Sequence, residues 1–428
     1  MKKIVSSLLF ASLLFALVSC NKNIVVEEQQ EPNNEQPQLN NEKPEPAKPI
    51  ELTTKQSERT NADNRFAFNI FKEVSASEGA NTFFSPLSLS MALGMLYNGV
   101  SGETRTEMAQ VLGMADFTDT EINEYYQKLT QALLNIDPLT EISIANSIWY
   151  RIGFPVKQSF IDVNQNYFDA MVEALDFSRP DAAEIINKWC AEKTKNRIET
   201  IIDDPIGEDV IMYLINALYF KSKWQFEFDK KDTKQDDFTK ADGQKVRINM
   251  MEQTTALPYY ADQNVQCVEM PYGNHAFSMV VILGNDNMNI DQLVEYLDND
   301  TWHNIVENLY NRNIHLKLPR FKIECEMNLN EPVKQTGMQR IFCFLKEFDN
   351  ICSGADLAVS KIKQKTFVEV NEEGTEAAAV TSIEIIETIS SPPSGPTQFF
   401  ANRPFLYLIK EKSTGAILFM GRMDEPQE

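Results

Sequence analysis

The chain has 428 residues, with 62 acidic and 40 basic side chains, a formal net charge of -22, and 43% hydrophobic residues. The acidic charge, together with the absence of any run of five Lys or Arg, argues against a nucleic-acid partner and against a heparin-like polyanion partner. The apolar content is ample for a large core, so most of the chain is expected to be globular.

The N-terminus has the order of regions that marks an export signal. Two lysines precede an apolar run that is too short to span a bilayer and that ends in the four residues LVSC, of which the last is Cys20. This ending resembles the lipobox of bacterial lipoproteins, in which the cysteine is lipidated and becomes the new N-terminus. We predict a lipoprotein signal peptide over 1–19 and a lipid anchor on Cys20 that holds the exported protein on the bacterial outer membrane or cell surface, facing outward or toward the periplasm. Ordinary secretion with an incidental cysteine is the alternative.

Residues 20–60 follow as a segment dominated by Glu, Gln, Asn and Pro. Such a composition cannot bury enough apolar surface to offset its ordering entropy, so it predicts a disordered tether. We place one globular domain over 61–428.

Ordered structure is expected from about Asn64. Phe66, Ile70 and Val74 recur every four residues and predict an amphipathic helix. The next helix has Ser85 as its N-cap and Pro86 at its first position, and it is apolar nearly all round, which predicts an interior position. Ser88 would then be buried and would need a hydrogen-bond partner.

The stretch from Ile211 to Trp224 is apolar as far as Phe220 except for Asn216 at its centre, as expected of a strand buried on both faces. The buried serines of the second helix are candidate partners for Asn216. The charged stretch Asp229 to Lys240 is interpreted as a solvated turn. Further strands are predicted in LKLPRFKIE, RPFLYLIK and AILFMG, and a helix in EPVKQTGMQRIF, which together indicate an α+β fold.

Neither the cysteines nor the histidines form a recognisable metal or catalytic pattern, so no metal and no cofactor are expected. The five cysteines after Cys20 include no CxxC pair, and we expect buried free thiols. The three histidines have neither the spacing of a zinc site nor that of a catalytic triad. These residues are Cys190, Cys267, Cys325, Cys343 and Cys352, and His275, His303 and His315.

Seven motifs between about Asn64 and Met423 resemble, in order, those of the serpin family. They are NTFFSPLSLSMALGMLYNGVSGET, SIANSIWY, INKWCAEKTKNRI, INALYFKSKW, LPRFKIE, VNEEGTEAA, and FFANRPFLYLI with ILFMGR. With the lipobox and the tether, the chain is similar to the miropin-like group of bacterial lipoprotein serpins. The resemblance implies one α+β domain of three β-sheets and about nine helices, with an exposed reactive-centre loop over about 372–398. It also implies that a target protease cleaves this loop, forms a covalent acyl-enzyme, and is trapped when the loop inserts as a new strand of the large sheet.

The loop sequence alternates as an inserting strand must, with one face toward the core and one toward solvent. Counted from Thr375, one set of alternate residues is small or apolar and carries no charge, whereas the intervening set carries both acidic residues. A flexible loop that is simply cut is the alternative. The first set is Thr375, Ala377, Ala379, Thr381, Ile383 and Ile385, and the second is Glu376, Ala378, Val380, Ser382 and Glu384.

The resemblance also implies three groups of functional residues. The hinge of the loop is Glu372, Glu373, Gly374, Thr375, Glu376, Ala377, Ala378 and Ala379. A polar cluster beneath the point where the sheet opens is Ser85, Ser88, Asn216 and Gln364, in which Gln364 stands where the family often has a histidine. The region where the loop first inserts is Trp224, Arg320 and Glu372, with an ion pair between Arg320 and Glu372.

The resemblance implies, by the family's usual spacing from the hinge glycine, that the reactive bond lies between Thr388 and Ile389. The stretch from Gly374 to Pro404 is longer than is typical of the family, so Ile386 and Glu387 remain alternatives. A threonine on the acyl side suits elastase-like or subtilisin-like serine proteases, and cysteine proteases are also compatible. We therefore expect a monomeric suicide inhibitor of extracellular endopeptidases that forms covalent complexes with its targets and is not an enzyme. A non-inhibitory serpin that acts as a surface binding protein is the alternative.

Overall fold

A computed structural model describes residues 45–79, 81–285, 287–375 and 395–427. The predicted signal peptide, Cys20 and most of the predicted tether lie outside the described residues. Within them, none of the helices is both long and apolar enough to cross a membrane.

The described residues form nine α-helices and fifteen strands, which confirms the α+β prediction. The helices are α1 (Thr54–Glu78), α2 (Pro86–Tyr97), α3 (Gly102–Val111), α4 (Asp119–Asn135), α5 (Gln158–Phe168), α6 (Ala182–Lys193), α7 (Ile290–Tyr296), α8 (Asn299–Glu307) and α9 (Asn330–Gln335). The strands are β1 (Thr82–Phe84), β2 (Glu141–Arg151), β3 (Met171–Leu175), β4 (Met212–Lys223), β5 (Lys234–Thr239), β6 (Lys245–Ala261), β7 (Val265–Pro271), β8 (Phe277–Gly284), β9 (Tyr310–Pro319), β10 (Phe321–Asn328), β11 (Lys363–Asn371), β12 (Gly374–Thr375), β13 (Thr397–Phe400), β14 (Phe405–Glu411) and β15 (Ile417–Met423).

The strands form two continuous sheets. One has six strands in the order β10-β11-β12-β4-β2-β3, and the other has nine in the order β1-β15-β14-β8-β7-β6-β9-β13, with β5 paired to β6. The long strand β6 pairs with β9 over most of its length and with β7 only at its end. The three expected sheets are therefore the six-stranded sheet and the two groups of strands that β6 joins.

Helix α2 is buried between the sheets, as its sequence predicts. It contacts both β4 of the six-stranded sheet and β15 of the nine-stranded sheet. Ser85 caps it by accepting a hydrogen bond of 3.1 Å from the backbone N–H of Ser88, and Pro86 occupies the first turn. Ser85 and Ser88 consequently lie between the two layers, beneath the six-stranded sheet.

Helix α1 begins at Thr54, inside the segment predicted as tether. Thr53 and Gln56 form a capping box there, and the side chain of Arg59 is completely buried. Arg59 forms an ion pair with Asp63 and donates a hydrogen bond of 2.7 Å to the carbonyl of Gly113. Helix α1 thus begins seven residues before the predicted domain start at residue 61, because a buried ion pair orders a stretch whose composition is polar.

The charged stretch Asp229 to Lys240 is only partly the solvated turn that was predicted. Its second half is β5, which pairs antiparallel with β6 and buries the side chain of Phe238 completely. The charged side chains of this strand face solvent and pair across the ladder, as in the ion pairs of Asp237 with Lys245 and Arg247. The prediction was wrong here because charges at the edge of a sheet conceal the single apolar residue that anchors the strand.

All five cysteines after Cys20 are free thiols. Cys190, Cys267 and Cys352 are buried and Cys325 is half-buried, but Cys343 is exposed, which departs from the expectation of burial. Burial raises the pKa of the Cys190 thiol to about 12.

Candidate functional site

The site lies at one end of the six-stranded sheet, where β12 separates the two central strands. Thr375 of β12 pairs antiparallel with Val370 of β11 on one side and with Ser222 of β4 on the other. Strands β11 and β4 therefore run parallel to each other, and among the described residues no ladder joins them directly. The chain thus enters the sheet between its central strands.

Glycine is the only residue type that fits the first position of β12, which is Gly374. Its φ is +152°, a conformation that side-chain-bearing residues rarely adopt. A Cβ atom there would lie 2.2 Å from the carbonyl oxygen of Ser222 and 2.6 Å from the Cα of Lys223. The predicted hinge glycine is therefore required both by its backbone conformation and by its close approach to β4.

Thr375 faces the core and is held by an aromatic pair. Its hydroxyl lies 2.6 Å from the hydroxyl of Tyr272, and both groups are buried. The ring of Tyr272 stacks on that of Trp224 at a centroid distance of 4.4 Å, and the Trp224 indole N–H donates a hydrogen bond of 2.9 Å to the carbonyl of Asn371. Sequence reasoning missed Tyr272, whose only local signal is its place at the end of the apolar strand β7.

The turn that connects β11 to β12 is held by a buried carboxylate. Glu372 is 1% exposed and accepts hydrogen bonds from Arg320, at 2.7 Å from its Nε, and from Thr233 at 2.5 Å. Burial opposes ionisation of this carboxyl group, yet the hydrogen bonds from Arg320 and Thr233 hold its pKa below the ordinary value. The backbone N–H of Trp224 donates to the carbonyl of Glu373. The structure therefore brings together Trp224, Arg320 and Glu372.

The remaining loop residues of the prediction are only partly described. Glu372, Glu373, Gly374 and Thr375 form the turn and β12. The description resumes at Gly395, and Thr397–Phe400 forms β13, which pairs parallel with β9 of the other sheet. Glu376, Ala377, Ala378, Ala379, Ile386, Glu387, Thr388 and Ile389 lie outside the described residues.

Gln364 connects β11 to the N-terminus of α2 through two reciprocal hydrogen bonds. Its side-chain oxygen accepts from the backbone N–H of Ser85 at 2.8 Å, and its amide nitrogen donates to the carbonyl of Ser85 at 3.0 Å. The hydroxyl of Ser85 in turn donates to the carbonyl of Leu418 in β15 at 2.7 Å. A glutamine, which has both a donor and an acceptor, thus links the two sheets through the helix cap.

The other half of the cluster differs from the expected pairing. Ser88 donates to the backbone carbonyl of Asn216, at 3.4 Å, rather than to its side chain. The amide of Asn216 instead donates to Asn146 at 2.6 Å, and Asn146 donates to the carbonyl of Phe168 at 2.6 Å. The side-chain oxygen of Asn216 is buried and has no partner among the described residues.

Asn146 was missed as a member of this cluster. The signal that could have found it is the antiparallel pairing of β2 with β4, in which Asn146 lies directly opposite Asn216. A buried asparagine at the centre of one strand finds a hydrogen-bond partner in an asparagine at the facing position of the neighbouring strand.

The described residues contain no group of three or more His, Cys, Asp or Glu placed to hold a metal ion. The nitrogen Nε2 of His315 contacts Glu252 at 2.6 Å, away from the polar cluster. His275 and His303 lie in other parts of the chain, in the turn after β7 and in α8.

Comparisons with known proteins identify serpins as relatives of this chain. The serpin family model, described as serine protease inhibitor, matches residues 61–426. The chain is 32% identical to iripin-3 of Ixodes ricinus over 85% of this chain and 94% of the relative, and 30% identical to human serpin B4 over 85% and 98%.

Solved structures show the same likeness. The native state of the thermophilic serpin tengpin matches with a TM-score of 0.78 and 28% identity, over 90% of this chain and 97% of that one. Human thyroxine-binding globulin in complex with thyroxine matches with a TM-score of 0.79 and 25% identity, over 88% of this chain and 100% of that one. The chain described here belongs to the serpin family, whose members are in general inhibitors of serine proteases.

Proposed function

We propose that this protein is an irreversible suicide inhibitor of serine endopeptidases that acts by insertion of its cleaved loop into the six-stranded sheet. The observation that carries the proposal is the position of Gly374 and Thr375. These two residues already form a strand between β11 and β4, so the first ladder pairs of an inserted loop are in place before cleavage.

The register of β12 determines where the following residues would lie after insertion. If both ladders continue unchanged, Ala377 and Ala379 come opposite the buried residues Val368 and Thr366 of β11. On the other side they come opposite the buried residues Phe220 and Leu218 of β4. Small side chains fit between two strands whose inward positions are already filled, which is the reason for an alanine-rich hinge.

The same register brings Thr381 into the polar cluster. It would lie opposite Gln364 of β11 and Asn216 of β4, both of which belong to that cluster. Thr381 is the one hydroxyl-bearing residue of its set beyond Thr375, and the buried side-chain oxygen of Asn216 is an acceptor without a partner among the described residues. We infer that the hydroxyl of Thr381 donates to Asn216 once the loop is inserted.

The length of β4 agrees with a reactive bond near Thr388. In the same register Ile385 comes opposite Met212, the first residue of β4, so an acyl group on Thr388 lies three residues beyond the end of that strand. A protease attached there would be carried to the opposite end of the sheet. A new strand of about ten residues gains about ten ladder hydrogen bonds at roughly 1 kcal/mol each, as much as the whole stability of a domain. The intact protein must therefore be kinetically trapped.

The proposed targets are serine proteases that accept a small or β-branched side chain, either elastase-like or subtilisin-like, with cysteine proteases as a further class. No Lys or Arg occurs between Gly374 and Ala401, which argues against targets with trypsin-like specificity. We further propose that the protein is exported as a monomer and held at a bacterial membrane or cell surface by lipid on Cys20, from which its loop meets extracellular proteases.

A non-inhibitory binding role is the competing function, and the likeness to thyroxine-binding globulin, which binds thyroxine, gives it a specific basis. The uncharged, alanine-rich hinge favours inhibition instead, because a loop that never inserts has no need of small residues at inward positions. A protease panel separates the two functions. Cleavage frees the C-terminal peptide in either case, and its expected first residue is Ile389. An inhibitor yields a denaturant-resistant adduct in addition, whereas a binding protein yields cleaved chain without an adduct.

The mechanism is tested by placing the same charge on either face of the inserting strand. In Thr375→Arg the guanidinium must enter the buried space beside Tyr272, which is costly for an unpaired charge. We expect this variant to lose covalent complexes and to be cleaved as a substrate. Glu376→Arg is the matched control, because the alternation directs that residue to solvent after insertion. Equal complex formation by both variants on a denaturing gel would contradict loop insertion.

A further inference from the structure

The segment between β4 and β5 wraps around the turn that precedes β12. We name residues 225–233 the hinge collar. Phe228 donates its backbone N–H to the carbonyl of Glu372 at 2.9 Å, and Thr233 donates its hydroxyl to the carboxylate of the same residue. The collar therefore contacts the turn through its backbone and through its side chains.

Lys230 of the collar pairs with Glu373, which is the residue directly before Gly374. The Lys230 ammonium group forms a hydrogen-bonded ion pair with one carboxylate oxygen of Glu373. The Lys230 side chain is 61% exposed, but the Glu373 side chain is only 11% exposed, and the other oxygen of Glu373 is buried without a partner among the described residues. The neighbouring Lys231 is 88% exposed, and among the described residues its ammonium group pairs with Asp229 of the collar alone, at 3.5 Å.

We propose that Lys230 is a positioning residue that keeps the hinge turn docked and thereby sets the partition between protease trapping and substrate turnover. The proposal rests on the inhibitory function proposed above. Glu373 stands between the docked Glu372 and the first ladder pair at Gly374, so its burial is coupled to the formation of β12. Without Lys230, a nearly buried carboxylate loses its cation, and undocking of the turn is the way to return that charge to water.

The consequence is kinetic. After the protease is acylated, loop insertion competes with hydrolysis of the acyl bond. A docked turn provides the first two ladder pairs in advance, whereas an undocked turn must form them during that competition. Loss of Lys230 should therefore slow insertion and raise the number of inhibitor molecules consumed per protease inhibited.

The test compares the stoichiometry of inhibition for Lys230→Glu and Lys231→Glu against one protease that forms complexes with the wild-type protein. The two variants carry the same charge change at neighbouring positions, and only one position contacts the hinge. We expect the stoichiometry to rise about three- to tenfold for Lys230→Glu and to stay within about 1.5-fold of wild type for Lys231→Glu, since exposed ion pairs contribute little. The double variant with Lys230→Glu and Glu373→Lys restores the ion pair and should recover most of the loss.

Three results would overturn the proposal: an unchanged stoichiometry in Lys230→Glu, an equal rise in Lys231→Glu, or no recovery in the double variant. The rate of first loop cleavage and the melting temperature of the intact protein should be the same in all variants, which separates positioning from general destabilisation. Hydrogen exchange at the Thr375 amide of the intact protein gives an independent readout, faster in Lys230→Glu alone. If the wild type forms no complexes, the proposed function fails, and this exchange still decides whether Lys230 docks the hinge.

Discussion

The two sheets of this protein differ in what holds their central strands. In the nine-stranded sheet, every residue of β8, β14 and β15 is buried, and ladders join these strands along their length, with one register shift between Ile409 and Lys410 in the pair β14–β15. Its buried charges satisfy one another, as where Lys410 of β14 pairs with Glu269 of β7, which also accepts from Ser278 of β8. Separating these strands would expose apolar surface and break a paired network at once.

In the six-stranded sheet the described part of the central pair is held differently. Between β11 and β4 stand only the two residues of β12, and the polar side chains below it bind α2 and β2 instead of each other across the gap. Hydrogen bonds of this kind stabilise the native state modestly and are re-formed with new partners at small cost. The contrast teaches that one sheet is built to stay closed, whereas the other has its polar groups placed where an additional strand would meet them.

The largest expected effect comes from the same substitution at one glycine in each sheet. A Cβ at Gly421 of β15 would lie 2.2 Å from the ring of the fully buried Tyr407. We expect Gly421→Val to lower the free energy of unfolding by about 3 kcal/mol, because overpacking a closed core has no relief. Gly374→Val should instead leave that free energy nearly unchanged, since the turn undocks, but raise the stoichiometry of inhibition more than tenfold. Urea unfolding and protease titration measure the two effects.

Gly395→Val is the control for this pair, because no atom of the described residues lies within 4 Å of the Cβ that a side chain would add there. It should alter neither measurement. If Gly374→Val destabilised the intact protein as much as Gly421→Val does, the two sheets would not differ in the way described, and β12 would be an ordinary part of the core.

A smaller effect is expected from the hydroxyl of Thr381. If both ladders continue after insertion, Thr381 would come beside the buried oxygen of Asn216, and Thr381→Val would then remove one buried hydrogen bond without changing the volume. We expect the cleaved, inserted form to lose about 1 kcal/mol of stability and the intact form to lose none. Ser382→Ala, on the opposite face, is the matched control. An equal change in the intact and cleaved forms would mean that the hydroxyl does not reach Asn216.

Local patterns predicted those parts of the fold that depend on neighbours in sequence. The cap at Ser85, the buried helix that follows, and the strands β4, β14 and β15 were all evident from the spacing of apolar residues. The motifs that resemble those of serpins pointed to the residues at the end of the six-stranded sheet where β12 lies between β11 and β4. Both kinds of signal are carried by short, continuous stretches.

The parts that were missed depend on contacts between residues distant in sequence. Arg59 orders the start of α1 through Gly113, and Lys230 contacts Glu373, which is 143 positions further along the chain. A run of alternating charges is the same in sequence whether it is solvated or wrapped around a buried carboxylate. The pairing of Asn146 with Asn216 likewise becomes visible only when the order of the strands is known.

The smallest effect expected concerns the pH at which the hinge undocks. In the docked turn, hydrogen bonds from Arg320 and Thr233 lower the pKa of Glu372 below its ordinary value, against the effect of burial. The docked state therefore binds fewer protons than the undocked state. Docking is fully favoured above the ordinary carboxyl pKa of about 4.3 and weakens as the pH falls through the lowered value. Burial raises the pKa of the nearby Glu227, so that group takes up its proton at a higher pH.

The emission of Trp224 reports this change, because its indole N–H is bonded to the carbonyl of Asn371 in the turn. We expect the difference in fluorescence between wild type and Trp224→Phe to shift below about pH 4. Glu372→Gln should remove the shift, whereas Asp232→Asn, an exposed change in the same collar, should leave it in place. A shift that persists in Glu372→Gln would show that some other carboxyl group holds the hinge, and that the ion pair with Arg320 only accompanies docking.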